Sequence, residues 1–501
     1  MNASRVWVTV AVMAATIMQV LDTTIINVAL PHMTGELGAS PDTISWVLTS
    51  YLIASAVFMP LAGFFTDRFG RKKYLLVSIA GFVIASALCG LANGLPEMVL
   101  FRLFQGIFGA ALVPLSQAVM VDTYPIEARG KAMAIWGMGV MAAPILGPSL
   151  GGYLTEIASW RWSFYINVPV GIVSFLLALR FVPDTPMRAR RMDWLGFGAL
   201  ALAIACGQLV LDRGAGDDWF NSSFITLSTL LALAAFLAFV WKSVAGQGEP
   251  VFDLAVLKDR NFAVACLISL ATGLGVYGGM LLLPLYLENL LGFPTLDAGM
   301  YLVPRGLATF VSMSLVGHFS GRISPRTMVA AGLLLSVAGA WMMTGITPQT
   351  AGSYILWPMV LQGLGMGLVF VPMSTLAFAT IPPQMAAEAA GLYSLTRTLG
   401  SAVGISVVST YLSYSTRVNW AALRQYITPY NAHVQQFLAP LHLDMQQGGA
   451  GVMGQVVQQQ ASVQAFVSTF WLITLSFVVL LPLLLLIKSV KGLKTAQVVA
   501  E

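Results

Sequence analysis

Apolar runs of about twenty residues follow one another along this 501-residue chain so closely that mostly short polar loops separate them. A run of that length is what a helix needs to cross a bilayer. Fourteen runs can be drawn, at roughly 6–30, 43–66, 74–94, 98–121, 131–156, 162–183, 194–212, 222–243, 261–286, 298–320, 327–346, 353–378, 387–412 and 465–487. Lipid offers a backbone no hydrogen-bond partner, so each run should be helical. The chain is 57% hydrophobic and 9% charged, against about 25% charged in soluble domains. No soluble core hides that much apolar surface. The expected fold class is an all-α membrane protein, and an even number of spans puts both termini on one side.

The cations say which side. Threaded through fourteen spans, 19 of the 26 Lys and Arg residues fall on one face. They include Arg68, Arg71, Lys72 and Lys73, then Arg188, Arg190 and Arg191, then Lys488, Lys491 and Lys494. The other face has only Arg161, Arg213, Arg417 and Arg424. The rich face is cytoplasmic, and the net charge of +5 reads as this bias rather than as nucleic-acid binding. Cys89, Cys206 and Cys266 all lie within apolar runs, and the four histidines show no ligand spacing, so no metal site is expected. The first run is too long for a cleavable signal peptide.

The chain echoes itself. Gly63-Phe-Phe-Thr-Asp67-Arg68-Phe-Gly70-Arg71-Lys72 closes span 2, and Gly317-His-Phe-Ser-Gly321-Arg322-Ile-Ser-Pro-Arg326 closes span 10. Gln105-Gly106 in span 4 returns as Gln362-Gly363 in span 12. Both echoes are displaced by eight spans, as two six-helix repeats with two inserted helices would require. The expected organisation is a first half over 1–183, a linker with two inserted spans over 184–260, and a second half over 261–501. A polar outside loop covers 413–464. Parallel repeats of this kind typify transporters that rock about a midplane site.

At this point the residues resemble a known family: the 14-helix drug:proton antiporter branch of the major facilitator superfamily, of the EmrB/QacA type. The resemblance runs over nearly the whole length. It is carried by Leu21-Asp22-Thr-Thr-Ile-Ile-Asn27-Val-Ala-Leu-Pro31, by the Gly63–Lys72 stretch, by Arg102-Leu-Phe-Gln105-Gly106, by Gly147-Pro148-Ser-Leu-Gly151-Gly152, and by Trp160-Arg161-Trp162-Ser-Phe-Tyr-Ile-Asn167-Val-Pro169. It implies proton-coupled export of amphipathic or hydrophobic compounds across the bacterial inner membrane. The energy source would be the proton gradient, with no cofactor. For EmrB-type pumps it also implies a periplasmic adaptor protein and an outer-membrane channel, docked on the 413–464 segment.

Individual residues carry the chemistry. Asp22 lies about sixteen residues into span 1, where an ionised carboxylate costs about 2.5–3.5 kcal/mol. Arg102 lies at comparable depth in span 4, so the two are expected to pair. The pair is read either as a proton-coupling site or as a fixed ion pair. Met359 takes the place of Arg102 in the second repeat, which argues against a repeat-wide structural feature. Gly63, Asp67, Arg68, Gly70 and Arg71 end span 2 beside the expected reach of Asp122 and the start of span 13; the family implies a conformational gate there. Gly139, Ala143, Gly147 and Gly151 recur every fourth residue, with Pro144 and Pro148 at the same interval. Small residues so spaced permit close helix approach, and for Gly147, Pro148, Gly151 and Gly152 the family adds a seal against proton leak. Gln19, Asn27, Gln105 and Tyr277 are assigned to a substrate cavity. Arg305 and Arg397 either pair with carbonyls and neighbouring helices or meet an anionic substrate group. Asp212 and Glu288 end spans 7 and 9 outside as interfacial acids. The competing functions are carriage of one defined solute and a non-transporting channel or receptor. No convergent nucleophile or metal set supports an enzyme.

Overall fold

The computed structural model describes residues 3–40, 43–187, 192–244, 254–294, 300–319, 322–347, 349–382, 385–444 and 448–487. Gly321 and the basic residues Arg188, Arg190, Arg191, Lys488, Lys491 and Lys494 lie outside them. The long elements are helices: α1 (Ala3–Glu36), α2 (Trp46–Phe69), α3 (Arg71–Leu91), α4 (Leu95–Thr123), α5 (Ile126–Ile157), α6 (Trp162–Phe181), α7 (Trp194–Arg213), α8 (Ser223–Val244), α9 (Arg260–Asn289), α10 (Val303–Phe319), α11 (Pro325–Met342), α12 (Gly352–Phe378), α13 (Ala386–Arg424) and α14 (Ala450–Leu483). Eleven helices among the described residues are long and apolar enough to cross a membrane. The other three long ones, α5, α10 and α13, fall on expected spans 5, 10 and 13.

Helix ends follow local chemistry. Gly70 stands at φ +82°, where a side chain is strained, and it lets α2 stop and α3 start with no intervening loop. Ser324 caps α11 through Thr327 N, with Pro325 in the first turn, where a missing N–H costs nothing. Asp193 caps α7 by accepting from Gly196 N, and the same carboxylate pairs with Lys242 near the end of α8. That contact clips the base of the α7–α8 hairpin.

The packing repeats with the displacement seen in the sequence. In the first set, α1 packs on α4, α5 and α6; α2 packs on α4; α3 packs on α4 and α6. Adding eight to every number gives the neighbours in the second set: α9 on α12, α13 and α14; α10 on α12; α11 on α12 and α14. Helices α7 and α8 pair with each other, and α7 leans on α2 and α13. Leu230, Leu233, Leu237 and Trp241 of α8 are all exposed, as a helix facing lipid requires. The two sets meet where α5 touches α10 and α12, and where α13 touches α2 and α4.

The expected outside loop over 413–464 is largely helical. Helix α13 runs on to Arg424, a short helix spans Ala432–Leu438, and α14 already starts at Ala450. Val434, Leu438 and Met453 bury a small core of their own there. Hydropathy marks where lipid ends and not where a helix ends; Ala- and Gln-rich sequence stays helical in water.

Candidate functional site

Asp22 of α1 and Arg102 of α4 are both fully buried. Arg102 Nη1 donates to Asp22 Oδ2 at 2.6 Å. The other carboxylate oxygen accepts from Gln105 Nε2 at 2.8 Å and from Asn167 Nδ2 at 2.9 Å. Arg102 is held in turn. Its Nε donates to the Val47 carbonyl at 2.9 Å, Nη1 also reaches Gln105 Oε1 at 2.7 Å, and its Cζ stands 4.2 Å from the Tyr51 ring centroid. Asn167 shares its amide with Ser86 Oγ at 3.0 Å, and Ser86 donates to the Phe164 carbonyl at 2.9 Å. Four helices, α1, α4, α3 and α6, and the backbone of α2 thus converge on one carboxylate. A buried ion pair keeps its charge only when the remaining lone pairs find donors, and Asp22 has three. Arg102 Nη2 alone has no partner.

Asn167 was not singled out in the sequence, although it lies in the Trp160–Pro169 motif. A lone Asn in an apolar run was the available signal, since a buried amide needs a buried partner. Asn167→Ala removes one of the three donors. It should cost about 1.5–3 kcal/mol, the range for a hydrogen bond to a charged group. Thermal unfolding of the purified protein checks this.

The second set shows what the site is without its charges. Gly106 of α4 lies against Tyr51 and Ala54 of α2; Gly363 of α12 lies against Arg305 and Ala308 of α10 in the same way. Gln105 therefore corresponds to Gln362, and Tyr51 to Arg305. The side-chain oxygen of Gln362 lies 3.7 Å from where a Cβ on Gly279 of α9 would stand, and Ile473 of α14 lies 4.0 Å from the same point. Met359 takes the place of Arg102 in the sequence echo, and α9 carries no acid before Glu288 near its end. Arg305 is 5% exposed, donates to the Val276 carbonyl at 3.3 Å, and leaves Nη1 without a partner. The repeat kept the amide and dropped the acid.

Helix α5 touches α1 next to this carboxylate. A Cβ on Gly147 would run into the side chain of Thr24, and one on Gly151 would stand 3.0 Å from the Ile25 carbonyl oxygen. A Cβ on Gly152 meets nothing within 4 Å. The backbone of Pro148 continues the helix; its side chain lies outside those described. Two of the four motif residues therefore set how closely α5 approaches α1, two and three positions from Asp22.

At the opposite end of the first set, Arg71 forms an ion pair with Asp122, as the sequence expected. Asp67 is half-buried one turn before Arg71 and within its electrostatic reach; Arg68 is exposed. A Cβ on Gly63 would stand 3.1 Å from Glu388 in the first turn of α13. Gly137 of α5 faces Met313 and Val371, and Gly317 of α10 faces Ala134. The contacts between the two sets thus gather at the end carrying the basic loops.

The residues assigned to a substrate cavity separate. Gln105 is fully buried in the Asp22 cluster. Gln19 donates to the Tyr51 hydroxyl at 3.0 Å, beside that cluster. Asn27 is exposed on α1. Tyr277 and Arg397 share a cavity in the second set with Ser269, Tyr393 and Met366, and Arg397 Cζ lies 5.3 Å from the Phe370 ring centroid. Arg305 is at its edge through Val276, which also lines it.

The model of the Major Facilitator Superfamily matches residues 12–405. The chain is 35% identical over 489 residues to the multidrug export protein EmrB of Escherichia coli strain K12, covering 96% of this chain and 95% of that one. It is 36% identical over 495 residues to the fatty acid resistance protein FarB of Neisseria gonorrhoeae, with 97% of each covered. Among solved structures it resembles the proton:xylose symporter XylE at TM-score 0.61 and 15% identity, over 96% of each chain. It resembles the human organic anion transporter MFSD10 at TM-score 0.61 and 16% identity, over 95% of this chain and 100% of that one. The helical repeat, the Gly63–Lys72 motif at the α2–α3 junction and these likenesses agree: the chain belongs to the major facilitator superfamily of multi-pass membrane transporters.

Proposed function

We propose that this protein exports hydrophobic or amphipathic compounds across the bacterial inner membrane in exchange for protons. It has fourteen spans and both termini in the cytoplasm. The repeated packing supports reading 1–183 and 261–501 as two six-helix halves around the inserted pair in 184–260. The names of the multidrug-export and fatty-acid-resistance relatives support export as the direction. One observation carries the proton: a carboxylate with three donors, sealed from solvent in one half, while the corresponding helix of the other half, α9, has no acid before Glu288 at its end. If the transport cycle shifts α1 against α4 within the first half and parts Asp22 from Arg102, a lone carboxylate is left in apolar surroundings, and taking a proton is its least costly state. Restoring the pair expels that proton. No cofactor enters the cycle. Ethidium efflux from cells, with and without an uncoupler, tests the reading: export should collapse with the gradient, and export indifferent to the uncoupler would refute it.

Asp67, Arg71 and Asp122 act as the gate on the cytoplasmic side. Arg71 binds Asp122 while the halves are closed there, and opening must release the contacts around Asp67 and Glu388. Asp67→Asn should slow transport several-fold while leaving expression and thermal stability near wild type. Transport rates in proteoliposomes together with unfolding temperatures separate a gate from a structural anchor. The helical extension formed by α13, Ala432–Leu438 and α14 is the proposed platform for a periplasmic adaptor and its outer-membrane channel. Tyr430 at its tip is 94% exposed.

A further inference from the structure

The inserted pair α7–α8 has no role in the cycle above, yet α7 closes one side of a second cavity. This cavity lies between α2, α7 and α13 and offers about 170 Å³, well above the roughly 10–15 Å³ that one water needs. Leu52, Gln208, Asp212, Thr398, Ser401 and Ser406 line it. The first half, the insert and the second half each supply part of that lining.

Its chemistry is one-sided. Among the described residues, Asp212 is the only charged one lining it, and its carboxylate is held in place by the Thr49 hydroxyl, which donates to Oδ2. The neighbouring Arg213 lies over the Trp46 ring at 5.2 Å and 3.8 Å from Asp217, outside the lining, though its charge reaches Asp212. Gln208 is 4% exposed with no partner for its Oε1, and Ser406 is 5% exposed with none for its Oγ. Buried polar atoms without partners are uncommon in folded proteins, and two of them in one cavity mark places for a donor. A carboxylate, an amide oxygen and several hydroxyls accept hydrogen bonds. A single carboxylate does not make a cage for a divalent ion, which takes six or more oxygens with several charges among them. Leu52, Leu211 and Ile405 add apolar wall.

We propose that this crevice binds a protonated organic amine. The ammonium group donates to Asp212, Gln208 Oε1 and the Ser406 hydroxyl, and the hydrocarbon part lies on Leu52, Leu211 and Ile405. Because α2, α7 and α13 must be adjacent to complete the site, an occupant favours the arrangement described here over any in which the halves have rocked apart. The inserted helices thereby acquire a function: they add a cation site outside the Asp22 cluster, and binding there does not depend on proton coupling.

Hexylammonium and its neutral counterpart hexanol, titrated calorimetrically into the full-length protein in nanodiscs at neutral pH, test the site. Wild type should bind hexylammonium saturably and prefer it to hexanol. Asp212→Asn should weaken the amine about ten-fold, the loss of one charge-assisted hydrogen bond, and leave hexanol unchanged. Gln208→Leu should weaken the amine by a smaller factor and reports independently if Asp212→Asn does not fold. Asp22→Asn should bind the amine like wild type. Equal affinity of wild type and Asp212→Asn, equal binding of hexanol and hexylammonium, or no saturable binding at all overturns the proposal. So does loss of amine binding in Asp22→Asn, which would place the amine at the first cluster. Amine binding that persists while ethidium export proves indifferent to the uncoupler would sink the export reading alone.

Discussion

Asp22→Asn should bring drug-driven proton release to background while drug still binds. Asn keeps the size and one acceptor, so Arg102 retains Val47, Gln105 and the Tyr51 ring, but nothing titrates. Removing one charge of a buried pair costs about 3–5 kcal/mol, so this variant should also unfold at lower temperature than wild type. The second repeat supplies the control. Met359 takes the place of Arg102 there and α9 has no acid before Glu288, and that half folds without the pair. Asp22→Asn combined with Arg102→Met should therefore recover much of the stability and none of the coupling. Proton movement on drug addition, read with a pH indicator beside thermal unfolding, separates the two effects. Equal proton release from wild type and Asp22→Asn returns the pair to a structural role.

Gly147→Val should disable coupled export, and Gly152→Val should be nearly silent. Both lie in one motif on one helix. Only Gly147 faces Thr24, so its new side chain must push α5 away from α1 or force Thr24 out of its rotamer. Overpacking of that kind costs about 1–3 kcal/mol. The displaced segment begins two residues from Asp22, so the carboxylate moves with it, and the expected phenotype is slow or leaky exchange. Proteoliposome efflux and proton leak, compared across the two variants, give the answer. Equal behaviour of the two would leave the glycines with nothing beyond ordinary helix packing.

Several features were legible from the residues alone. Runs of twenty apolar residues can only be helices in lipid, and the echoes Gly63/Gly317 and Gln105/Gln362 announced a displacement of eight. The packing pairs then reproduced that displacement. Asp22 and Arg102 were found as partners because two isolated charges in apolar runs have no cheaper solution than each other. The Arg71–Asp122 pair lies where the family resemblance had placed a gate at the Gly63–Lys72 motif. The limits of the helices outside the membrane were not legible. The transition from lipid to water changes composition, but an Ala- and Gln-rich helix crosses it unbroken, as α13 and α14 do.

What only the tertiary structure decided is which polar residue serves which site. Gln105 reads in sequence like a cavity residue, and three-dimensional packing instead turns its amide into Asp22. Asn167 lies 145 residues from Asp22, and no spacing rule joins them. Gly147 and Gly152 are alike as letters; only the position of Thr24 leaves no room for a side chain at one and open space at the other. That Gln362, the echo of Gln105, has no acid of α9 to meet came to light only once packing placed it beside Gly279. Hydropathy and charge act through the solvent each residue meets, so composition along the chain determines apolar spans and fold class. Hydrogen bonds and steric contact act over a few ångströms between residues far apart in sequence, so the Asp22 cluster and the crevice beside α7 exist only once the helices have packed.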